Sequence, residues 1–220
     1  LTARLTRAHS TVPAVAVEAT QKTARVIAVA TFRALATRLR GEDKLRTHSL
    51  DELRGALDAT RAYLAALRAD PASPRTYGAH VAALHALDHL HALVEALEPA
   101  QFAGVLAASD TLRPVALVLA TRLDDAAHWL EADTEAGAPP LDESAADMVE
   151  RRKALRVQIL AATARGEESP ERGGAELETV GWMERIAQRA ARVQHHLTVA
   201  TAQETAEAPP SRTSQMPEAV

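Results

Sequence analysis

Apolar residues recur every three or four positions along most of the chain, which is the spacing of amphipathic helices. In the first such segment, Val29, Phe32 and Ala36 fall on one helical face. Between the third and fourth long helices, the connection at 101–108 can hold a further turn or two of helix. The pattern predicts an all-α fold with six long helices, approximately at 13–40, 49–70, 74–99, 111–133, 142–166 and 175–202.

Residues with known preferences for helix ends mark several of these boundaries. Gly41 follows the first helix and is placed to end it, because glycine readily adopts the left-handed conformation of a helix C-terminus. Ser49 and Glu52 have the spacing of a capping box at the start of the second helix. Ser73 followed by Pro74 predicts the start of the third, with the serine as cap and the proline in the first turn.

Polar stretches divide the second half of the chain. EAGAPPLD and GEESPERGG are predicted loops, and Asp142 at the end of the first is placed to cap the fifth helix. Three long helices precede the connection and three follow it, which favours two tandem three-helix bundles at 1–99 and 100–204. Residues 205–220 lack an apolar period, and we expect a disordered tail there.

Composition supports the helical prediction and narrows the function. Aromatic residues make up only 3% of the chain, whereas strands favour aromatic and β-branched side chains. The sequence has no cysteine, which excludes disulfides, zinc–thiolate sites and a cysteine nucleophile. The net charge is -4 without a basic stripe, so we expect no nucleic-acid partner. The sequence has no glycine-rich phosphate loop, and we expect a non-enzymatic protein without a cofactor.

A histidine-rich stretch, HVAALHALDHLHALVEALEP, lies in the third predicted helix. On a helical wheel His85 and His89 fall opposite the apolar face, where we expect solvated surface histidines. An HxxxH pair alone lacks the further ligands and the glutamate of a metalloprotease helix. Asp88, His91 and Glu95 fall at one edge of the apolar face, where they would border a neighbouring helix.

Two other polar pairs have simple interpretations. His195 and His196 are near the end of the sixth predicted helix, where they would complement the negative end of the helix dipole. Asp124 and Asp125 are expected on a solvated helix face.

Two stretches of the chain resemble each other. ALDHLHALVEAL (86–97) and WMERIAQRAARV (182–193) share an apolar residue, an acid, a polar or basic residue and a second apolar residue in the same order. Asp88 in the first aligns with Glu184 in the second, and each is in the last helix of its three-helix group. The pattern indicates an internal repeat of a whole three-helix unit.

The repeat and the six-helix layout resemble the PhoU-like family, whose members are two tandem three-helix bundles. The resemblance covers about residues 13–202. The family motif is an acid, a basic residue, Ile, a small residue and a second acid. MERIAQR keeps the first four of these positions but has Gln188 in place of the second acid. LDHLHAL keeps Asp88 but has Ala92 at that place.

The resemblance implies that Asp88 and Glu184 are the remnant of an acidic motif that binds metal ions in the family. One carboxylate rarely holds a hard cation by itself, so we expect no family-type metal site here. We expect instead that these two acids form ion pairs with nearby arginines.

Within the family, the chain looks most like the PhoU-like domain that follows the membrane portion of bacterial Na/Pi-cotransporter family proteins. This resemblance implies a cytoplasmic regulatory or docking role in phosphate transport, with tethering to the inner membrane through an upstream transmembrane region. The implied partners are the membrane domain of the same polypeptide, another component of the transport system, or a second copy. Arg185, Arg189 and Arg192 form a candidate docking or anion-facing surface.

Two alternatives stay open. The chain could be a stand-alone helical adaptor or phosphate-signalling module that shares only the architecture. It could also be a metal-dependent helical-bundle enzyme that uses Asp88, His91 and Glu184.

Overall fold

The computed structural model describes residues 13–42, 49–67, 73–132 and 141–205. All regular secondary structure in these ranges is helical, which confirms the all-α prediction. The short α4 occupies the predicted connection between the two groups of long helices. The described ranges contain seven helices: α1 (Pro13–Leu39), α2 (Leu50–Ala66), α3 (Pro74–Glu95), α4 (Gln101–Ala108), α5 (Arg113–Ala132), α6 (Leu141–Ala164) and α7 (Pro170–Thr205).

The predicted end of α1 and the predicted start of α2 are confirmed, whereas α2 ends at Ala66 and not near residue 70. Gly41 has φ 77°, and its N–H donates to the carbonyl of Arg38 at 3.0 Å. The N–H of the next residue donates to the carbonyl of Thr37 at 3.2 Å, which completes a Schellman motif. At α2, the backbone N–H of Ser49 donates to Glu52 Oε2 at 2.9 Å, and the Glu52 N–H donates to Ser49 Oγ at 3.1 Å. The capping box therefore forms as expected.

Two predicted caps differ in detail. Ser73 precedes α3 and Pro74 is its first residue, but the Ser73 hydroxyl bonds to the Thr76 hydroxyl at 3.1 Å instead of to a backbone N–H. Asp142 is not the cap of α6, because the helix begins at Leu141 and Asp142 lies within its first turn. The negative charge of Asp142 is still stabilising there, because it lies near the positive N-terminal end of the helix dipole.

The predicted tail at 205–220 lies outside the described residues, except for Thr205.

The helix α7 begins five residues earlier than predicted, so the second half of GEESPERGG is helix and not loop. Gly166, with φ 73°, ends α6. Ser169 then starts α7: its carbonyl accepts from the Gly173 N–H at 2.9 Å, and its hydroxyl accepts from the Arg172 N–H at 3.3 Å. Pro170 occupies the first helical position, where its missing N–H costs nothing.

The glycine pair that resembles a helix breaker has a packing role. A Cβ atom on Gly173 would lie 2.5 Å from Thr163 Oγ1 and 3.5 Å from Ile159 Cγ2, both on α6. Gly174 has open space around the same position. Gly173 therefore permits the close approach of α6 to the first turns of α7.

The helices share one hydrophobic core. The helix α1 packs most extensively against α5, and α7 packs most extensively against α3 and α6. The helix α2 packs against α1 and α3. The buried cluster includes residues from all seven helices, so α1–α5 and α3–α7 contacts join the two predicted three-helix groups. The division between residues 99 and 100 stays a prediction.

Trp182 fixes α7 against the ends of α3 and α4. Its indole Nε1–H donates to the carbonyl of Ala96, at the end of α3, at 2.9 Å. Its ring stacks on Phe102 of α4 with the ring centroids 5.0 Å apart.

Among the described helices, none combines the length and the apolar character required to cross a bilayer.

The glycine pair gives a matched test of the α6–α7 contact. We expect Gly173→Ala to lower the free energy of unfolding by about 1–3 kcal/mol, because the new methyl group overlaps Thr163. Gly174→Ala should instead raise it by about 0.5–1 kcal/mol through helix propensity. Urea denaturation of both variants measures the difference, and equal effects would contradict the packing role of Gly173.

Candidate functional site

The two acids of the repeated stretch are each paired with an arginine from a neighbouring helix. Asp88 Oδ1 on α3 lies 2.6 Å from Arg61 Nη2 on α2. Glu184 Oε2 on α7 lies 2.5 Å from Arg152 Nη1 on α6. Gln188, which stands in place of the second acid, donates from Nε2 to Glu184 Oε1 at 3.2 Å. The expected arginine pairing of both acids is confirmed.

The two ion pairs differ in their exposure to water. The side chain of Asp88 is 58% exposed, whereas that of Glu184 is only 10% exposed. Water can solvate the Asp88 carboxylate if Arg61 is removed. Glu184 has much less access to water and depends on Arg152 and Gln188 for its stabilisation.

His91 does not join these acids in a common site. Its Nε2 lies 3.2 Å from Glu95 Oε1, one turn along α3. Across the part of the chain that the structure describes, no three His, Asp or Glu side chains are grouped so that they could hold a metal ion. Asp88, His91 and Glu184 therefore each have a separate polar partner.

Four histidines meet between α3 and α7. The rings of His85 and His89 both stack on His196, with centroid distances of 5.1 and 5.6 Å. His195 contacts His196 edge-on at 5.3 Å. His85 is exposed as predicted and His89 is half-buried, but their contact with His196 was not predicted. The helix-dipole role of His195 and His196 is wrong, because α7 continues to Thr205, beyond the range of a terminal dipole effect.

The histidine cluster disfavours positive charge. Burial, together with the nearby His85 and His195, lowers the pKa of His196 to about 4. Burial and the adjacent Arg189 also lower the pKa of His89. Arg189 Nη1 donates to His89 Nδ1 at 2.9 Å, and this bond requires an unprotonated nitrogen on His89.

One of the two acids that were expected on a solvated face lies instead at the α1–α5 interface. Asp124 pairs with Arg40, which directly follows α1, so only Asp125 fits the prediction of a solvated face. Nearby, the guanidinium of Arg33 binds both carboxylate oxygens of Glu131 at 2.6 and 2.5 Å. The partners come from a helix about eighty to one hundred residues away in sequence, which the local pattern does not reveal.

A cationic cleft of about 570 Å³ lies where α7 is flanked by α3 and α6. We call it the arginine cleft. Three arginines of α7 contribute to it, and Asp142 is its only carboxylate among the described lining residues. The lining residues are His89, Asp142, Ala145, Ala146, Val149, Arg185, Gln188, Arg189, Ala191 and Arg192.

The arginines of this cleft differ from most cross-helix arginines of the structure. Arg185, Arg189 and Arg192 are exposed, and no Asp or Glu oxygen of the described residues lies within 4.0 Å of them. Arg61 and Arg152, in contrast, each bind a carboxylate. The cleft therefore presents positive charge that the described part of the chain does not neutralise by direct pairing.

Comparisons with protein-family models, with curated proteins and with solved structures find no match to this chain.

The unequal burial of the two repeat acids predicts unequal effects of arginine removal. Arg152→Ala should lower the free energy of unfolding by about 2 kcal/mol or more, because Glu184 is left nearly buried without its cation. Arg61→Ala should cost less than about 1 kcal/mol, since Asp88 is exposed. Chemical denaturation compares the two, and adding Glu184→Gln to Arg152→Ala should recover part of the loss.

The histidine cluster predicts a loss of stability on acidification. Above about pH 6.5, His196 is neutral in both folded and unfolded chains, so its contribution does not vary with pH. As the pH falls from about 6.5 to about 4, the unfolded chain takes up the proton first and the folded state is progressively destabilised. Below about pH 4 this contribution no longer changes.

Thermal unfolding of His196→Asn between roughly pH 7 and pH 4.5 tests this dependence. The fall in melting temperature should be smaller in this variant than in the wild-type protein. His128→Asn on α5 is the control, because His128 is exposed and lies outside the cluster. A fall that His196→Asn leaves unchanged would contradict the assignment.

Proposed function

We propose that the chain is a PhoU-like domain, built from two tandem three-helix units, which regulates or docks onto a sodium-dependent phosphate transporter-type protein without catalysing a reaction. The first unit corresponds to α1, α2 and α3, and the second to α5, α6 and α7. The domain would act at the cytoplasmic face of the inner membrane, tethered through an upstream transmembrane region.

The repeated ion pairs support the tandem-unit proposal. In the first unit, Arg61 of the second helix pairs with Asp88 of the third. In the second unit, Arg152 of the second helix pairs with Glu184 of the third. The same type of contact thus recurs between corresponding helices, at the acids that align in the sequence repeat.

These ion pairs also bear on which surface is available to a partner. Both motif acids already bind guanidinium groups, so their carboxylates are engaged within the domain. The arginine cleft has exposed guanidinium groups without carboxylate partners among the described residues. This unneutralised charge is the observation that carries the docking proposal, because it suits an acidic surface of the membrane domain, of another transport component or of a second copy.

Docking becomes regulation only if the contact differs between two states of the transporter. A domain that binds both states equally shifts nothing, however tightly it binds. We therefore propose that Arg185 and Arg192, the outer pair of the arginine cleft, contact the transporter more strongly in one state than in the other.

Sodium-dependent phosphate uptake by the complete native polypeptide tests this function. The coding sequence upstream of Leu1 should encode several hydrophobic segments. We expect Arg185→Ala combined with Arg192→Ala to change the uptake rate by about fivefold or more, which corresponds to losing about 1 kcal/mol of coupling. The matched control is Arg151→Ala combined with Arg156→Ala, which removes the same charge from exposed positions of α6.

Two results would contradict the proposal. The first is an initiator methionine shortly before Leu1, which would favour a stand-alone adaptor or phosphate-signalling module. The second is an uptake rate that the α7 and α6 double variants change equally, since that would reflect overall charge and not the arginine cleft.

A further inference from the structure

The arginines of the cleft form a linear array on one helical face. Arg185, Arg189 and Arg192 are four and three positions apart, so their side chains project from the same side of α7. With a rise of about 1.5 Å per residue, the first and last are about 10 Å apart along the helix axis. This spacing therefore favours an extended anion over a compact one.

The central arginine of this array is held in position. Arg189 Nη1 donates to His89 Nδ1 at 2.9 Å, and His89 belongs to the cluster that stacks on His196. This bond uses one of the five guanidinium donors and leaves the others for a ligand. A guanidinium that is already oriented loses less conformational entropy when it binds an anion.

The lining of the cleft is mainly cationic. Burial is the main cause of the lowered pKa of His89, and the adjacent Arg189 and Arg192 lower it further. Burial is also the main cause for the lowered pKa of His196, with a smaller contribution from Arg192. The opposing group is Asp142, which lines the cleft from α6 and would repel an anion. The ligand must therefore carry enough negative charge to outweigh this carboxylate.

From this geometry we propose that the arginine cleft binds an oligophosphate group, meaning an oxyanion with two or more linked or neighbouring phosphates. Arginine forks match phosphate oxygens in bidentate geometry, and linked phosphates can follow the line of three guanidinium groups. The cleft volume of about 570 Å³ also exceeds what one phosphate fills. A free oligophosphate and a multiply phosphorylated lipid headgroup share this chemistry.

This binding site has the same residues as the proposed docking surface but does not require the docking function. A ligand there would compete with an acidic partner for the same guanidinium groups, and would thereby couple its concentration to docking. Binding is measured on the 220-residue chain alone, so the ligand site and the transport function can fail separately.

Isothermal titration with sodium tripolyphosphate tests the site. We expect 1:1 binding that is at least about tenfold tighter than binding of orthophosphate, because only the longer anion spans the array. Arg189→Ala should weaken tripolyphosphate binding by about tenfold or more. Asp142→Asn should strengthen it severalfold by removing the opposing charge. Arg156→Ala, a control on the exposed surface of α6, should leave the affinity unchanged within about twofold.

Circular dichroism verifies that each variant retains its helices before titration. Vesicles that contain multiply phosphorylated lipid headgroups form the second arm. Binding to both probes supports a general oligophosphate site, and binding to vesicles alone assigns the lipid source. Three results would overturn the proposal: no binding to either probe, equal weakening by Arg156→Ala and Arg189→Ala, or equally tight binding of a polyglutamate peptide.

Discussion

The hydrogen bond from the Trp182 indole to the Ala96 carbonyl sets the position of α7, and through it much of the remaining structure. The helix α7 contacts α3, α6, α4, α1 and α5, so it connects the two halves of the chain together with the α1–α5 contact. The Trp182 ring also stacks on Phe102, which holds the short α4 beside the end of α3. A large buried ring with one directional bond defines a helix position more sharply than the many small alanine contacts around it.

The same register brings the polar groups of α3 and α7 together. From Ala96–Trp182, the antiparallel helices proceed to His89–Arg189 and then to His85–His196. The chemistry of the arginine cleft therefore depends on a packing contact that lies about one turn of α7 before Arg185. Glu184, on the side of α7 that contacts Arg152 of α6, is fixed by the same placement. One well-packed helix thus presents a histidine cluster, an acid paired with arginine, and three arginines that have no carboxylate partner among the described residues.

Features that depend on neighbouring residues could be predicted from the sequence. Gly41 and the Ser49–Glu52 capping box act within one helical turn, and both appear as expected. The arginine pairing of Asp88 and Glu184 was expected because each acid lacks the second carboxylate that a metal ion would require. The histidine cluster was not expected, because its members come from helices about one hundred residues apart. Gly173 resembled a helix breaker, since only the close approach of α6 shows why a glycine is needed there.

The continuous core has a consequence for how the chain can be divided. If the two three-helix groups arose from duplication of one unit, they have since merged their interiors, because α1 packs chiefly on α5 and α3 is extensively covered by α7. A polypeptide that ended at residue 99 would expose the apolar faces that these contacts now bury. In the intact chain, we expect the two halves to unfold together in one cooperative transition, as a single domain does. The repeats of a modular array can instead unfold separately.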